Sequence, residues 1–175
     1  MTAEACIDLP CLGGIHGEIE DWVAGLEASR TELESLISNL TPAALTWRPI
    51  TDMQPIGTLI LHIAYTEAFW LTEIDRESQK YLWDDTASSC IIAAPTKPLS
   101  WYVFQLRHTR TNSIKSLSQN HSLNEIYLRQ KENGETEKYT LRWVLWNLLK
   151  HEAHHRGQIE LLKKWYEQTH APVYA

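Results

Sequence analysis

The sequence is poor in the features that mark several large classes of protein. No apolar stretch approaches the ~18 residues that would span a bilayer as a helix. No Lys or Arg precedes Arg30, whereas a secretory leader needs a positive segment before its apolar run. The expectation is a soluble, cytoplasmic protein without a membrane partner. Basic residues are outnumbered, 16 against 22 acidic, for a net charge of −6. Nucleic-acid binding needs clustered Lys and Arg to neutralise phosphates, and no basic run here exceeds two residues, so that class is set aside. The three cysteines, Cys6, Cys11 and Cys90, form no CxxC pair. They suggest neither a disulfide framework nor a cysteine zinc site, and read as incidental free thiols in a reducing compartment. No internal repeat or low-complexity tract stands out.

What is present fits one folded domain. The chain has 175 residues, 43% hydrophobic and 22% charged, near the globular average, so disorder is a poor description of the whole. A single domain over 1–175 is expected, with 1–14 as an N-terminal tail. Four helical patterns carry it. The first runs from about Ile15 to Asn39, with Ile15, Ile19, Trp22, Leu26, Leu33 and Leu40 on one face, and stops near Thr41-Pro42. The second runs from about Ile56 to Ser78, with Leu59, His62, Thr66, Phe69 and Glu73 on one face. Residues 79–99 read as a long crossover. The third helix spans about Ser100 to Asn120, with Val103, Leu106, Ile114 and Leu117 inward. "NEIYLRQKENGETEKYT" alternates around Asn133-Gly134 and predicts a small hairpin. The fourth helix spans about Leu141 to Thr169. The fold class is all-α: a four-helix bundle with a long crossover between helices two and three.

The chemistry gathers in "HEAHHRGQ", from His151. At about 100° per residue, His151 and His155 fall inside the apolar stripe with Val144, Leu148 and Leu162. They are one turn apart, a spacing at which two imidazoles converge on one metal. The bland alternative is a pair of hydrogen-bonded core histidines. Two on one buried face are costly to leave without a shared purpose. A third ligand is needed, and His62, centred in the apolar face of "LILHIAYTEAFW", is the best candidate. Three imidazoles with open positions form a catalytic type of metal site. Gln158 faces the site, and His154 packs beside the ligands rather than ligating. Arg156 points elsewhere and is expected to pair with an acid. His16, His108, His121 and His170 read as solvent-facing.

The same residues spell the zinc-protease pattern H-E-x-x-H, with Glu152 as general base. That reading fails on several counts. Gln158 stands where the longer pattern requires glycine, and only 20 residues follow His155. Glu152 lies about 80° from the centre of the ligand face on the same wheel. No strand precedes the motif to bind a peptide.

"LTWRP", "LHIAYTEAFW" and "HEAHHRGQI", in that order and spacing, resemble the DinB-like (DinB/YfiT) superfamily over nearly the whole chain. The resemblance implies an up-down-down-up bundle. It also implies one divalent metal, zinc or nickel among others, on His62, His151 and His155. Relatives include transferases and isomerases that use low-molecular-weight thiols such as mycothiol or bacillithiol. A pocket lined by Trp47, Tyr65, Phe69 and Trp70 would admit a small-molecule substrate. The leading expectation is a metal-dependent enzyme activating such a thiol, of S-transferase or isomerase type. The alternatives are a metal-dependent hydrolase using metal-bound water, and a stress-related metal- or ligand-binding protein without turnover. A second stripe on helix four, Trp143, His154, Leu161 and Trp165 with Trp146 further round, predicts a homodimer.

Overall fold

A computed structural model describes residues 17–72, 96–119, 121–130 and 134–171, with the side chains of Arg129 and Gln130 excepted. These residues form five helices and one two-stranded sheet: α1 (Glu18–Ile37), α2 (Pro42–Thr46), α3 (Ile56–Thr72), α4 (Leu99–Leu117), β1 (Ile126–Gln130), β2 (Thr136–Thr140) and α5 (Leu141–Thr169). The fold is all-α in class, with a hairpin attached.

Local chemistry sets the boundaries. α1 opens with Glu18, Glu20 and Asp21 at its positive end, where carboxylates are favoured. α2 is a single turn and a half inside the predicted loop. Thr41 caps it by accepting from the Ala44 N–H at 3.2 Å, and Pro42 occupies its first position, where a missing N–H costs nothing. β1 pairs antiparallel with β2, from Ile126 opposite Thr140 to Gln130 opposite Thr136. Gly134 has φ of 84°, a conformation glycine adopts without strain. Asn133 lies outside the described residues. β2 runs straight into α5, whose first turn is capped by the Thr140 hydroxyl accepting from the Trp143 N–H.

α5 has the bounds its sequence predicts, and α1 and α4 agree to within three residues at each described end. The last turns of the second predicted helix, 73–78, and most of the crossover lie outside the described residues. The inward face of α4 differs from expectation. Leu106 and Leu117 are buried, but Val103 and Ile114 are only half-buried. Tyr102, Thr109, Arg110, Ser113 and Ser116 take the interior instead. The buried face is rotated toward polar residues, because α4 supplies an arginine to an internal ion cluster.

α1 packs on α5 and α4, and α3 packs on the same two helices. Between α1 and α5 the polar contacts climb together along both segments: Glu18 with Arg142, Arg30 with Glu152, Glu32 with Arg156, Asn39 with Lys163. Between α1 and α4 they run in opposite order, Glu27 with Arg110 and Glu34 with Arg107. Between α3 and α5 the order is also opposed, His62 near His155 and Trp70 near Trp143.

Two apolar clusters form the core. One includes Leu33, Ile37, Ile60, Tyr102, Leu106, Ile159 and Leu162. The other includes Val23, Leu26, Trp70, Leu117, Leu145 and Leu148. Arg30, Glu67, Arg110 and Glu152 are each at most 4% exposed. On every helix they fall between members of the two clusters. They form a charged layer across the interior, at the level of the histidines described next.

Candidate metal centre

α3 and α5 bring three imidazoles to one point. His62 comes from α3, and His151 and His155 from successive turns of α5. The Nε2 atom of His151 lies 3.1 Å from Nε2 of His62 and 3.1 Å from Nε2 of His155. One ring nitrogen from each residue lies within 4.8 Å of the others. Nitrogens held ~2.0–2.1 Å from one tetrahedral ion stand roughly 3.3 Å apart, close to the two 3.1 Å separations at His151.

The protonation chemistry agrees. His155 Nδ1 is 2.6 Å from Gln158 Oε1. With the Gln158 carbonyl oxygen accepting, His155 carries its proton on Nδ1 and presents a lone pair at Nε2. Such a partner on the far nitrogen fixes tautomer and ring orientation in metal-ligating histidines. Burial lowers the pKa of all three rings. His151 is pushed down to about 3, first by burial and then by the neighbouring His155 and His62. Neutral imidazole is the form a metal requires. The three Nε2 atoms crowd together in a partly desolvated site, where they otherwise have one another as hydrogen-bond partners, and a cation would engage all three at once. The residues fit the group.

The sequence profile of the DinB superfamily matches residues 25–159, which include all three histidines. The chain belongs to the DinB superfamily. Curated proteins yield no match to it. DinB membership and the histidine cluster both point to metal binding.

Around this DinB-type cluster, some expected neighbours are in place and others are not. Gln158 bonds His155, and the exposed His154 ring sits 5.0 Å from that of His155. Arg156 pairs with Glu32 on α1. Tyr65 and Phe69 stack on each other, ring centres 6.3 Å apart. Trp70 packs on Tyr139 and Trp143, and Trp47 packs on Trp165 and Tyr166. None of these four aromatics lines the cavity that opens at His62 and His155. Its walls come from the loop before α3, from the first turn of α3 and from α5, including Met53, Leu59 and Leu162. The side chains at 65, 69 and 70 are carried past the cavity as α3 winds toward the hairpin end, where Trp70 joins Tyr139 and Trp143.

His108 is exposed and stacks on Phe104. His170 is exposed and stacks on Tyr166. His16 lies outside the described residues. His121 corrects the expectation of a solvent-facing ring: it is 3.1 Å from Glu125 and 3.3 Å from the Tyr127 hydroxyl. The hairpin folds back over it, so a ring beyond the end of a helix is still enclosed.

Two groups carried no assigned role in the sequence. Thr66, one turn from His62, places its hydroxyl 3.4 Å from His151 Nε2; its position on the His62 face was the available signal. Glu152 is turned from the histidines into the charged layer. Arg30 reaches it with Nε at 3.2 Å and Nη2 at 2.9 Å, and Arg110 with Nη2 at 3.2 Å. Arg30 and Arg110 also bind Glu67, at 2.7 and 2.6 Å.

Proposed function

We propose that this DinB superfamily protein is a divalent-metal-dependent enzyme that activates a low-molecular-weight thiol, in an S-transferase or isomerase type of reaction. The observation that supports it is the convergence of three neutral imidazoles beside a cavity. In this reading His62, His151 and His155 hold one zinc or nickel ion. A divalent ion there lowers the pKa of a thiol and makes it a nucleophile at neutral pH. Gln158 keeps His155 in the ligating tautomer. The Thr66 hydroxyl stands one turn from His62, where it can donate to an anionic group held at the centre. Leu59 and Leu162 exclude water from one side.

The same proposal treats residues 1–175 as a single DinB-like domain arranged as a four-helix bundle. The contacts that climb together between α1 and α5, and run opposed between α1 and α4 and between α3 and α5, support an up-down-down-up order. Among the described residues no helix is long and apolar enough to cross a membrane; a cytoplasmic location is part of the same proposal. The partners are a small-molecule substrate and a second copy of the chain. Nucleic acid and membrane have no place in this reading.

Elemental analysis tests the centre. Wild type should carry about one divalent ion per chain, and His155→Ala much less. Equal metal in both removes His155 as a ligand. Turnover of an electrophile that requires both added thiol and metal tests the reaction. Turnover without thiol would instead select hydrolysis.

A further inference from the structure

α5 has two faces of different chemistry. One packs on α1 and α3 and carries the histidines. The other is exposed, yet it is not a polar face. At about 100° per residue, Trp146, Lys150, His154, Gly157, Leu161 and Trp165 share an arc of about 100°, and all six are exposed. A solvated helix face ordinarily carries polar and charged side chains. Here Trp146, Leu161 and Trp165, with Trp143 beside them, are 37–60% exposed. They leave roughly 300–400 Å² of ring and aliphatic surface uncovered. Two such faces, with the Lys150 stem and the His154 ring added, approach the ~1,000 Å² that a specific interface needs.

Gly157 lies at the middle of this face. Glycine is a poor residue for a helix interior, so its place there asks for a neighbour. Gly25 in α1 has one within the chain: a Cβ at that position would lie 4.0 Å from Leu149. A Cβ at Gly157 would meet nothing within 4 Å. Nothing among the described residues requires the glycine, whereas a backbone arriving from outside would come closest where no side chain stands.

The face also complements itself. A two-fold axis between His155 and Arg156 sets an antiparallel copy so that Trp146 lies opposite Trp165, Lys150 opposite Leu161, and His154 opposite Gly157. Tryptophans then meet at both ends, and an imidazole ring fills the space over each glycine. No like charges oppose one another. The Lys150 ammonium, 4.5 Å from the centre of its own Trp146 ring, falls opposite the turn that holds Glu160 and Leu161. A contact in which each residue meets its counterpart in this reciprocal way is the commonest kind between identical chains.

We propose that α5 packs antiparallel on α5 of a second copy about this axis, and that the pairing completes the cavity at the histidines. Gln158 and Leu161 line that cavity together with His62 and His155, and Leu161 belongs to the paired face. The partner's Lys150 therefore comes to the cavity mouth. It supplies a cation there that the described walls lack, since Asp52 is their one formally charged side chain. The shared cavity rests on the proposed metal centre; the pairing rests on α5 alone.

Three measurements test it. Light scattering at micromolar concentration should give about twice 20.2 kDa. Gly157→Leu should keep the helicity of wild type, because its side chain has room within the chain, and should weaken self-association by roughly tenfold or more, because it has none across the axis. Equimolar mixtures of His154→Cys and Gly157→Cys should cross-link on mild oxidation above the background of wild type, whereas Lys150→Cys with Gly157→Cys should not. Metal-loaded wild type should also yield its ion to a chelator severalfold more slowly than metal-loaded Gly157→Leu. A wild-type monomer, an undiminished dimer in Gly157→Leu, or no cross-link between His154→Cys and Gly157→Cys overturns the pairing. Equal rates of metal release overturn the shared cavity. Protein that dimerises and cross-links but holds no metal would sink the metal centre and leave the pairing standing.

Discussion

Replacing Glu152 by glutamine should weaken the fold more than any other isosteric change in α5. Glu152 is 2% exposed and accepts three hydrogen bonds, two from Arg30 and one from Arg110. The layer holds two guanidiniums and two carboxylates, with Glu27 reaching Arg110 from the edge at 2.8 Å. The amide keeps the volume and one acceptor but removes a charge. Two buried cations are then left with Glu67 as their one fully buried counter-ion. Breaking a buried ion pair on one side costs about 3–5 kcal/mol. That is a fifth or more of the stability of an ordinary domain, which is about 5–15 kcal/mol in total.

For a chain of this size that loss lowers the melting temperature by roughly 6–20 °C. Thermal melts at pH 7, with urea unfolding at 25 °C, measure it. A charge-balanced variant isolates the cause. Arg30→Met with Glu152→Met removes one cation and one anion together, and should melt above the sum of its two single variants, with a coupling of about 0.5–3 kcal/mol. Metal content in Glu152→Gln should stay near one per chain, because the carboxylate points away from the histidines. A Glu152→Gln melt within about 2 °C of wild type, or strictly additive methionine variants, would refute the reasoning.

Acid should dismantle the same layer in a defined window. Burial pushes the Glu67 carboxyl up, but Arg110 and Arg30 outweigh it and hold it at about 2, below its ordinary 4.5. The contribution to stability is therefore complete above pH 4.5 and is lost as pH falls through about 2; urea unfolding between pH 7 and 2 should show a drop of about 3 kcal/mol that is absent in Glu67→Gln. Assembly gives another test. Leu161 is 60% exposed and Trp146 46%, so light scattering should report a dimer rather than a 20.2 kDa monomer, with Trp146→Glu shifting it toward monomer. A dimer unmoved by that change would place the interface elsewhere. Trp143 and Trp165 are weaker probes, since each packs on aromatic rings of its own chain.

Legibility followed the length and regularity of each signal. α5 could be bounded from sequence because an apolar stripe runs through it and Thr140 caps it. The histidines stood out because each interrupts such a stripe. α2 was missed because a helix of five residues has no period, although Thr41-Pro42 is a capping signal in itself. The cavity walls were misplaced for a different reason. Aromatic residues near a candidate histidine in sequence drew the expectation, while Asp52 and Met53 approach from a loop whose path depends on tertiary packing. The buried charges left no trace in the apolar periodicity, which Arg and Glu do not enter. A signal was available even so. Arg30 stands three residues before Leu33 and four after Leu26, the spacing of a core position.

The ambiguity of the H-E-x-x-H pattern now has a physical resolution. Neighbouring residues on a helix point about 100° apart, so His151 and Glu152 cannot both face one ion at short range. In a protease the glutamate reaches toward the metal-side nucleophile; here Arg30 and Arg110 draw it to the opposite side. α3 repeats the arrangement. Thr66 faces the histidines and Glu67, its neighbour, faces the arginines. Each histidine-bearing helix thus presents one residue to the histidine cluster and the next to the charged layer. The four-residue ion cluster ties the backbones of α3 and α5 at the height where their imidazoles meet, with α1 and α4 supplying the arginines. A glutamate in this motif is evidence of a catalytic base only where no buried cation competes for it, and in this chain two do.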